Sequence, residues 1–315
     1  MKKIISIFIT FFIVIFVIIL CAISISDTNI QSKNDKIKVV ATLFPQYDFV
    51  RQIGNDKVEV TLLLPPGTET HTYDPSPKDI IGINESQLFI YTGNYMEPWA
   101  ENISSSIDES IKVIDVSEGI EHIKEEHEHE EGKHQEEHKH EYDPHIWLDI
   151  SNAKNMVDNI AKALIAVDNE NREYYLENAK EYKEKLDELD NKFEYLIDNS
   201  QRNLICFGDK FSYMYFVNRY NLDYITVYDS CLAEAEPSVS KVLEIEEEIK
   251  KENIPVIFYE SLSEAKIAKR IAKDTEIVAL EFSSVHTVSS EDIQNGATYI
   301  SVMEQNLENL KTALN

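Results

Sequence analysis

The chain has 315 residues, 43% of them apolar, which is enough for a real core and for two domains of ordinary size. Acidic residues outnumber basic ones 57 to 30, and the formal net charge is −27. That excludes the basic footprint nucleic-acid binding needs, and it suits a soluble protein that attracts cations.

Residues 1–20 read Met-Lys-Lys followed by a nearly unbroken apolar run from Ile4 to Leu20. This is the charged n-region and apolar h-region of an export signal, shorter than a comfortable membrane span. Cys21 follows directly, where a bacterial lipoprotein carries its lipidated first residue, with Ile18-Ile19-Leu20 in place of the usual small residues. Residues 21–36 are polar and read as a tether. The folded part is therefore expected outside the cytoplasmic membrane, held to it through the N-terminus.

From Ile37 short β-branched runs alternate with helical patterns. The strand candidates are Ile37–Leu43, Val58–Leu64, Leu88–Tyr91 and Val113–Val116, and between them lie the helical stretches Gln46–Ile53, Pro77–Ser86 and Pro98–Ile107. Next come six of the chain's nine histidines, between His122 and His140, set among Glu and Lys. A run so poor in apolar residues cannot offset its ordering entropy, so residues 121–141 read as a mobile loop. Imidazole is a strong ligand for borderline metals such as Zn²⁺, Cu²⁺ and Ni²⁺. A helix with Ser151 as N-cap candidate closes a first lobe over residues 37–170.

Residues 171–200 carry Tyr175, Ala179, Tyr182, Leu186, Leu189, Phe193 and Leu196 at alternating steps of four and three. This is a coiled-coil seam or, as the short run of heptads favours, one helix of roughly 40 Å packing a narrow stripe against two lobes. A second block, residues 201–315, repeats the alternation. Its strand candidates are Leu204–Phe207, Tyr224–Tyr228, Ile254–Tyr259 and Ile277–Phe282; its helices are Phe211–Tyr220, Pro237–Lys251, Ser263–Lys273 and Glu291–Leu314. The expected fold is α/β: two lobes, each a four-stranded parallel sheet with helices on both faces, joined by the long helix. Cys206 and Cys231 could pair, stay reduced and buried, or act as soft ligands.

The histidines outside the low-complexity run are His71, His145 and His286. All three fall in loops that follow strands, as do Asp209 and Glu260, and Glu281 stands at a strand end. In parallel sheets such loops line one edge, where ligands bind.

With these residues the sequence resembles the zinc and manganese solute receptors of bacterial ABC importers. The resemblance spans most of residues 37–315 and rests on Pro66-Gly67-Thr68-Glu69-Thr70-His71-Thr72-Tyr73-Asp74-Pro75, the His-rich loop, Asp143-Pro144-His145-Ile146-Trp147-Leu148, Glu234-Ala235-Glu236-Pro237-Ser238, Gly296-Ala297-Thr298-Tyr299 and Met303-Glu304-Gln305-Asn306-Leu307. It implies two lobes with a stiff linking helix, one Zn²⁺ held between them, a membrane permease as partner and a monomer; Mn²⁺ is the lesser alternative. His71 and His145 carry over as first-lobe ligands. The third ligand position, counted from Phe211 and Tyr213, falls at Gly208, which has no side chain, and neighbouring Asp209 or water is the substitute. The fourth, counted back from Glu291-Asp292-Ile293, falls near His286, with Glu281, Glu260 and Cys231 as further candidates. Imidazole-dominated ligation favours Zn²⁺ over Mn²⁺, which prefers harder oxygen donors. A metal-binding adhesin or zinc sink would share every feature. A zinc hydrolase is disfavoured by the lack of His-Glu-x-x-His, Gly-x-Ser-x-Gly or a phosphate loop.

Overall fold

The computed structural model describes residues 36–68, 70, 71, 73–124, 142–228, 231 and 236–315. The export segment, the tether, the His-rich run from 125 to 141 and the Glu234-Ala235 pair lie outside the described residues. No helix among the described residues is long and apolar enough to cross a membrane.

Two four-stranded, all-parallel sheets organise residues 37–315. In the first, β1 (Ile37–Ala41), β2 (Val58–Leu62), β3 (Leu88–Tyr91) and β4 (Lys112–Asp115) stand in the order β2-β1-β3-β4. In the second, β5 (Leu204–Phe207), β6 (Asp223–Thr226), β7 (Val256–Tyr259) and β8 (Val278–Glu281) repeat that order as β6-β5-β7-β8. The inner strands are apolar on both faces, as Val39-Val40-Ala41 and Leu88-Phe89-Ile90 show by being buried without alternation. Edge strand β2 alternates instead, because one of its faces meets solvent.

The helices begin where the sequence supplies caps. α1 (Phe44–Gly54) starts with Pro45 in its first turn. α2 (Pro77–Asn84) opens on a capping box between Ser76 and Asp79. α3 (Pro98–Asn102) continues as a 3-10 turn to Ser106, so the expected single helix to Ile107 tightens at its end. α4 (Ile150–Val167) is capped by Asp149, whose carboxylate accepts from the Ser151 amide at 2.7 Å; the cap lies two residues before the Ser151 expected from sequence.

α5 (Arg172–Asp198) is the long connector, and its buried stripe of Tyr175, Ala179, Tyr182, Leu186, Leu189 and Phe193 matches the predicted steps. The stripe packs on both lobes and is no coiled-coil seam. Toward the first lobe Asn178 donates to the Ile53 carbonyl at 2.8 Å and Tyr182 to Asp48 at 3.2 Å. Toward the second, Arg219 on α6 (Met214–Tyr220) pairs with Asp190, and Lys192 meets Glu304 at 2.7 Å.

α7 (Val239–Glu252) and α8 (Lys266–Thr275) cover the far face of the second sheet. The expected last helix, Glu291–Leu314, is broken into α9 (Ser290–Gln294) and α10 (Tyr299–Leu314). Gly296 at φ +81° turns the chain, a conformation that only glycine takes without cost, and Thr298 recaps it. The break delivers the Tyr299 amide to the buried Asp48 carboxylate at 2.9 Å and the Tyr299 hydroxyl to the Trp147 carbonyl at 2.6 Å. One apolar core runs from the first lobe through α5 into the second sheet, so the lobes are joined by packing as well as by the connector.

Candidate functional site

His71 sits in the turn after β2, and His145 precedes the short 3-10 turn Ile146–Leu148 that leads into α4. Their rings meet edge to face with centroids 5.4 Å apart, and His145 lies at the same 5.4 Å against Trp147. His145 is 1% exposed, so its polar atoms must be satisfied from within. Asp143 does this. One carboxylate oxygen accepts from the His145 backbone amide at 2.7 Å and from its Nδ1 at 3.0 Å. A carboxylate only accepts, so Nδ1 carries the proton and the Nε2 lone pair is left for a metal. The spacing Asp-x-His was legible in the sequence, but its role as an orienting pair was not.

Trp147 fixes this segment to the other lobe through its Nε1–H, which donates to the Ser284 carbonyl at 2.7 Å. The His71 loop is tied across in the same way: the Gly67 amide donates to Thr287 Oγ1 at 2.9 Å. The Phe44 amide, at the start of α1, donates to the His286 carbonyl at 3.2 Å. The 284–287 turn thus receives three first-lobe contacts. Val285 within it has φ +63°, a costly conformation for a β-branched residue, held by burial and by Ser283 Oγ at 3.0 Å from its amide.

The third potential ligand atom beside the imidazoles is sulfur. His71, His145 and Cys231 have ligand atoms all within 4.8 Å of one another, and Cys231 comes from the loop after β6 of the second lobe. Neither Cys231 nor Cys206 is in a disulfide, and both are buried, which removes pairing from the three options their sequence left open. Burial alone pushes the Cys206 thiol far above its usual range, as expected for a core residue.

The other sequence candidates lie outside this group. His286 Nδ1 is hydrogen-bonded with Ser284 Oγ. Asp209 accepts from the Ser263 hydroxyl and from the Lys210 amide at 2.9 Å. Glu260 is spent on structure: Oε1 accepts from the Ser261 and Ser284 amides at 2.9 and 3.1 Å, and Oε2 from the Tyr213 hydroxyl at 2.7 Å. Glu281 is exposed at the end of β8, its carboxyl raised by partial burial and by the neighbouring charges of Glu260 and Asp292.

Gly208 has a physical reason to be glycine. A Cβ there would lie 2.7 Å from the Ala268 Cβ and 2.8 Å from its Cα, and 2.7 Å from the Ile257 Cδ1. The end of β5 is pressed against α8, and no ligating side chain fits between them.

A tetrahedral zinc with Zn–N of about 2.0 Å and Zn–S of about 2.3 Å holds its donors roughly 3.3–3.6 Å apart. A group already within 4.8 Å reaches that spacing by side-chain shifts of about 1 Å. The donor set therefore fits zinc.

Residues 39–313 match the family described as zinc-uptake complex component A, periplasmic. The chain is 32% identical over 298 residues to the high-affinity zinc uptake system protein ZnuA of Bacillus subtilis, covering 93% of this chain and 92% of that protein. It is 32% identical over 302 residues to the zinc-binding lipoprotein AdcA of Streptococcus pneumoniae, covering 93% of this chain and 59% of AdcA. The crystal structure of the Zn(II)-bound ZnuA-like domain of that AdcA superposes with a TM-score of 0.74 at 29% identity, over 89% of this chain and 99% of that domain.

Proposed function

The chain belongs to the periplasmic zinc-uptake component A family, and from that premise we propose that it captures Zn²⁺ between its lobes, outside the cytoplasmic membrane, and delivers it to the permease of an ABC importer. The observation that carries this is the His71–His145 pair. Two imidazoles in ring contact, one of them buried and tautomerically fixed by Asp143, are a prearranged half of a zinc site.

In this reading His71 and His145 are the first-lobe ligands and zinc is cargo, not a catalytic cofactor. A remaining coordination position is open to water or to a donor from the strand-end loops that carry His286 and Asp209. The net charge of −27 draws cations toward the cleft. The His-rich run from His122 to His140 serves capture when zinc is scarce, and a lipid on Cys21 with the polar tether holds the receptor beside its permease. A continuous core between the lobes argues for local rearrangement at the cleft mouth rather than a wide hinge.

Purified apo-protein titrated with metal tests this. One equivalent of Zn²⁺ should bind tightly and raise the melting temperature, since zinc at 100 times its Kd adds about 2.7 kcal/mol to the folded state. A larger melting shift with equimolar Mn²⁺ than with Zn²⁺ would sink the assignment.

A further inference from the structure

The second lobe must complete the site, and its strand-end loops offer few candidates. The position after β5 is closed to any side chain by Ala268. Asp209 is held by Ser263 and by the Lys210 amide, and both oxygens of Glu260 are engaged. His286, with its Nδ1 on Ser284, lies outside the three-donor group. Cys231 alone among the described second-lobe residues has its donor atom within 4.8 Å of ligand atoms of both first-lobe histidines. It is also 4% exposed, so the donors meet in a largely water-free environment.

We propose that Cys231 is the second-lobe ligand of the cargo metal, giving a two-imidazole, one-thiolate set whose substrates are thiophilic borderline cations, Zn²⁺ first, with Cd²⁺ and Co²⁺ as substitutes. The proposal rests on the zinc-receptor reading and deepens it by naming the donor that decides cargo class. The distances decide the assignment: among the described second-lobe residues only Cys231 has its donor atom within 4.8 Å of both imidazole donors, a separation that zinc coordination closes by shifts of about 1 Å. Sulfur also changes selectivity. Thiolate stabilises zinc relative to Mn²⁺, which favours carboxylate, carbonyl and water oxygen. A site with an oxygen ligand in that place would admit manganese more readily. The lobes then share the metal as His71 and His145 from one side and sulfur from the other, so retention of cargo depends on both.

The mature full-length protein tests this with two probes. Co²⁺ bound at one equivalent should give a thiolate-to-cobalt charge-transfer band in the near ultraviolet. Zn²⁺ should slow the alkylation of Cys231 by iodoacetamide, followed over time by peptide mass because Cys231 is only 4% exposed, while the rate at Cys206, 0% exposed in the core, is the same with and without metal. Cys231→Ser should abolish the band and weaken Zn²⁺ by more than about 100-fold, beyond the 10–100-fold that loss of an outer partner costs; Cys206→Ser should keep both. If Cys231→Ser does not fold, the band and the protection measured on the parent decide alone. Tight zinc binding without the band, or without protection of Cys231, would overturn sulfur ligation and leave the receptor reading standing. Failure of the parent to bind zinc would overturn the receptor reading itself.

Discussion

Placing a side chain at Gly208 should destabilise the fold without improving the site. The position is where the family pattern puts a ligand, so Gly208→His would look like a repair. The geometry says otherwise. An added Cβ meets Ala268 Cβ at 2.7 Å, Ala268 Cα at 2.8 Å and Ile257 Cδ1 at 2.7 Å. The isoleucine methyl can rotate away, but the Ala268 Cα belongs to the backbone of α8 and moves only with the helix. Overpacking of this kind costs about 1–3 kcal/mol. In a chain of this size that lowers the melting temperature by roughly 2–10 °C. Gly208→Ala isolates the effect, since it adds the Cβ and nothing else. Thermal unfolding of the apo-protein reads the loss, and the zinc-induced increment should match the parent's, because no ligand has been touched. Ala268→Gly should partly rescue Gly208→Ala in a double-mutant cycle, with a coupling above about 0.5 kcal/mol. A Gly208→Ala protein that melts with the parent, or a Gly208→His protein that binds zinc more tightly, would refute the close packing of β5 on α8.

Asp143→Asn should weaken zinc by about 10–100-fold in chelator competition, because the amide no longer selects the Nδ1-protonated form of His145 as strongly; unchanged affinity would show that Trp147 and His71 orient the ring by themselves. Glu97 is fully buried beside Thr92 and Thr42, and burial pushes its carboxyl from the ordinary 4.5 to about 7. A raised folded-state value means that its contribution is complete below about pH 4.5 and is lost as pH rises toward about 7. Glu97→Gln should therefore match the parent at acidic pH and exceed it by roughly 2–3 kcal/mol in urea unfolding near pH 8; equal stability across that range would contradict it.

The alternation of β-branched runs with helical patterns was legible because strands and helices impose their own periods on a sequence. The eight strands lie where apolar runs predicted them, and the α5 stripe from Tyr175 to Phe193 appears with its spacing intact. The motifs that carry His71 and His145 stood out too, because each is compact and local, and the fold brings the two rings into contact. Local signals fell short at helix ends, where Asp149 rather than Ser151 caps α4 and Gly296 interrupts the last helix. The second-lobe side of the site was legible only as a set of alternatives, Cys231 among them. Counting from Phe211 pointed to Gly208 and counting from Glu291 pointed to His286, but a count along the chain carries no information about which loops meet. Loops after β6 and β8 are brought to the first lobe by sheet order, by the contacts of Trp147 and Gly67 with the 284–287 turn, and by the Asp48–Tyr299 contact. These pairings join residues more than a hundred positions apart. The sequence by itself determined the elements and singled out His71 and His145; the packing of distant elements alone decided that Gly208 is closed and that the Cys231 sulfur lies within 4.8 Å of donor atoms of both imidazoles.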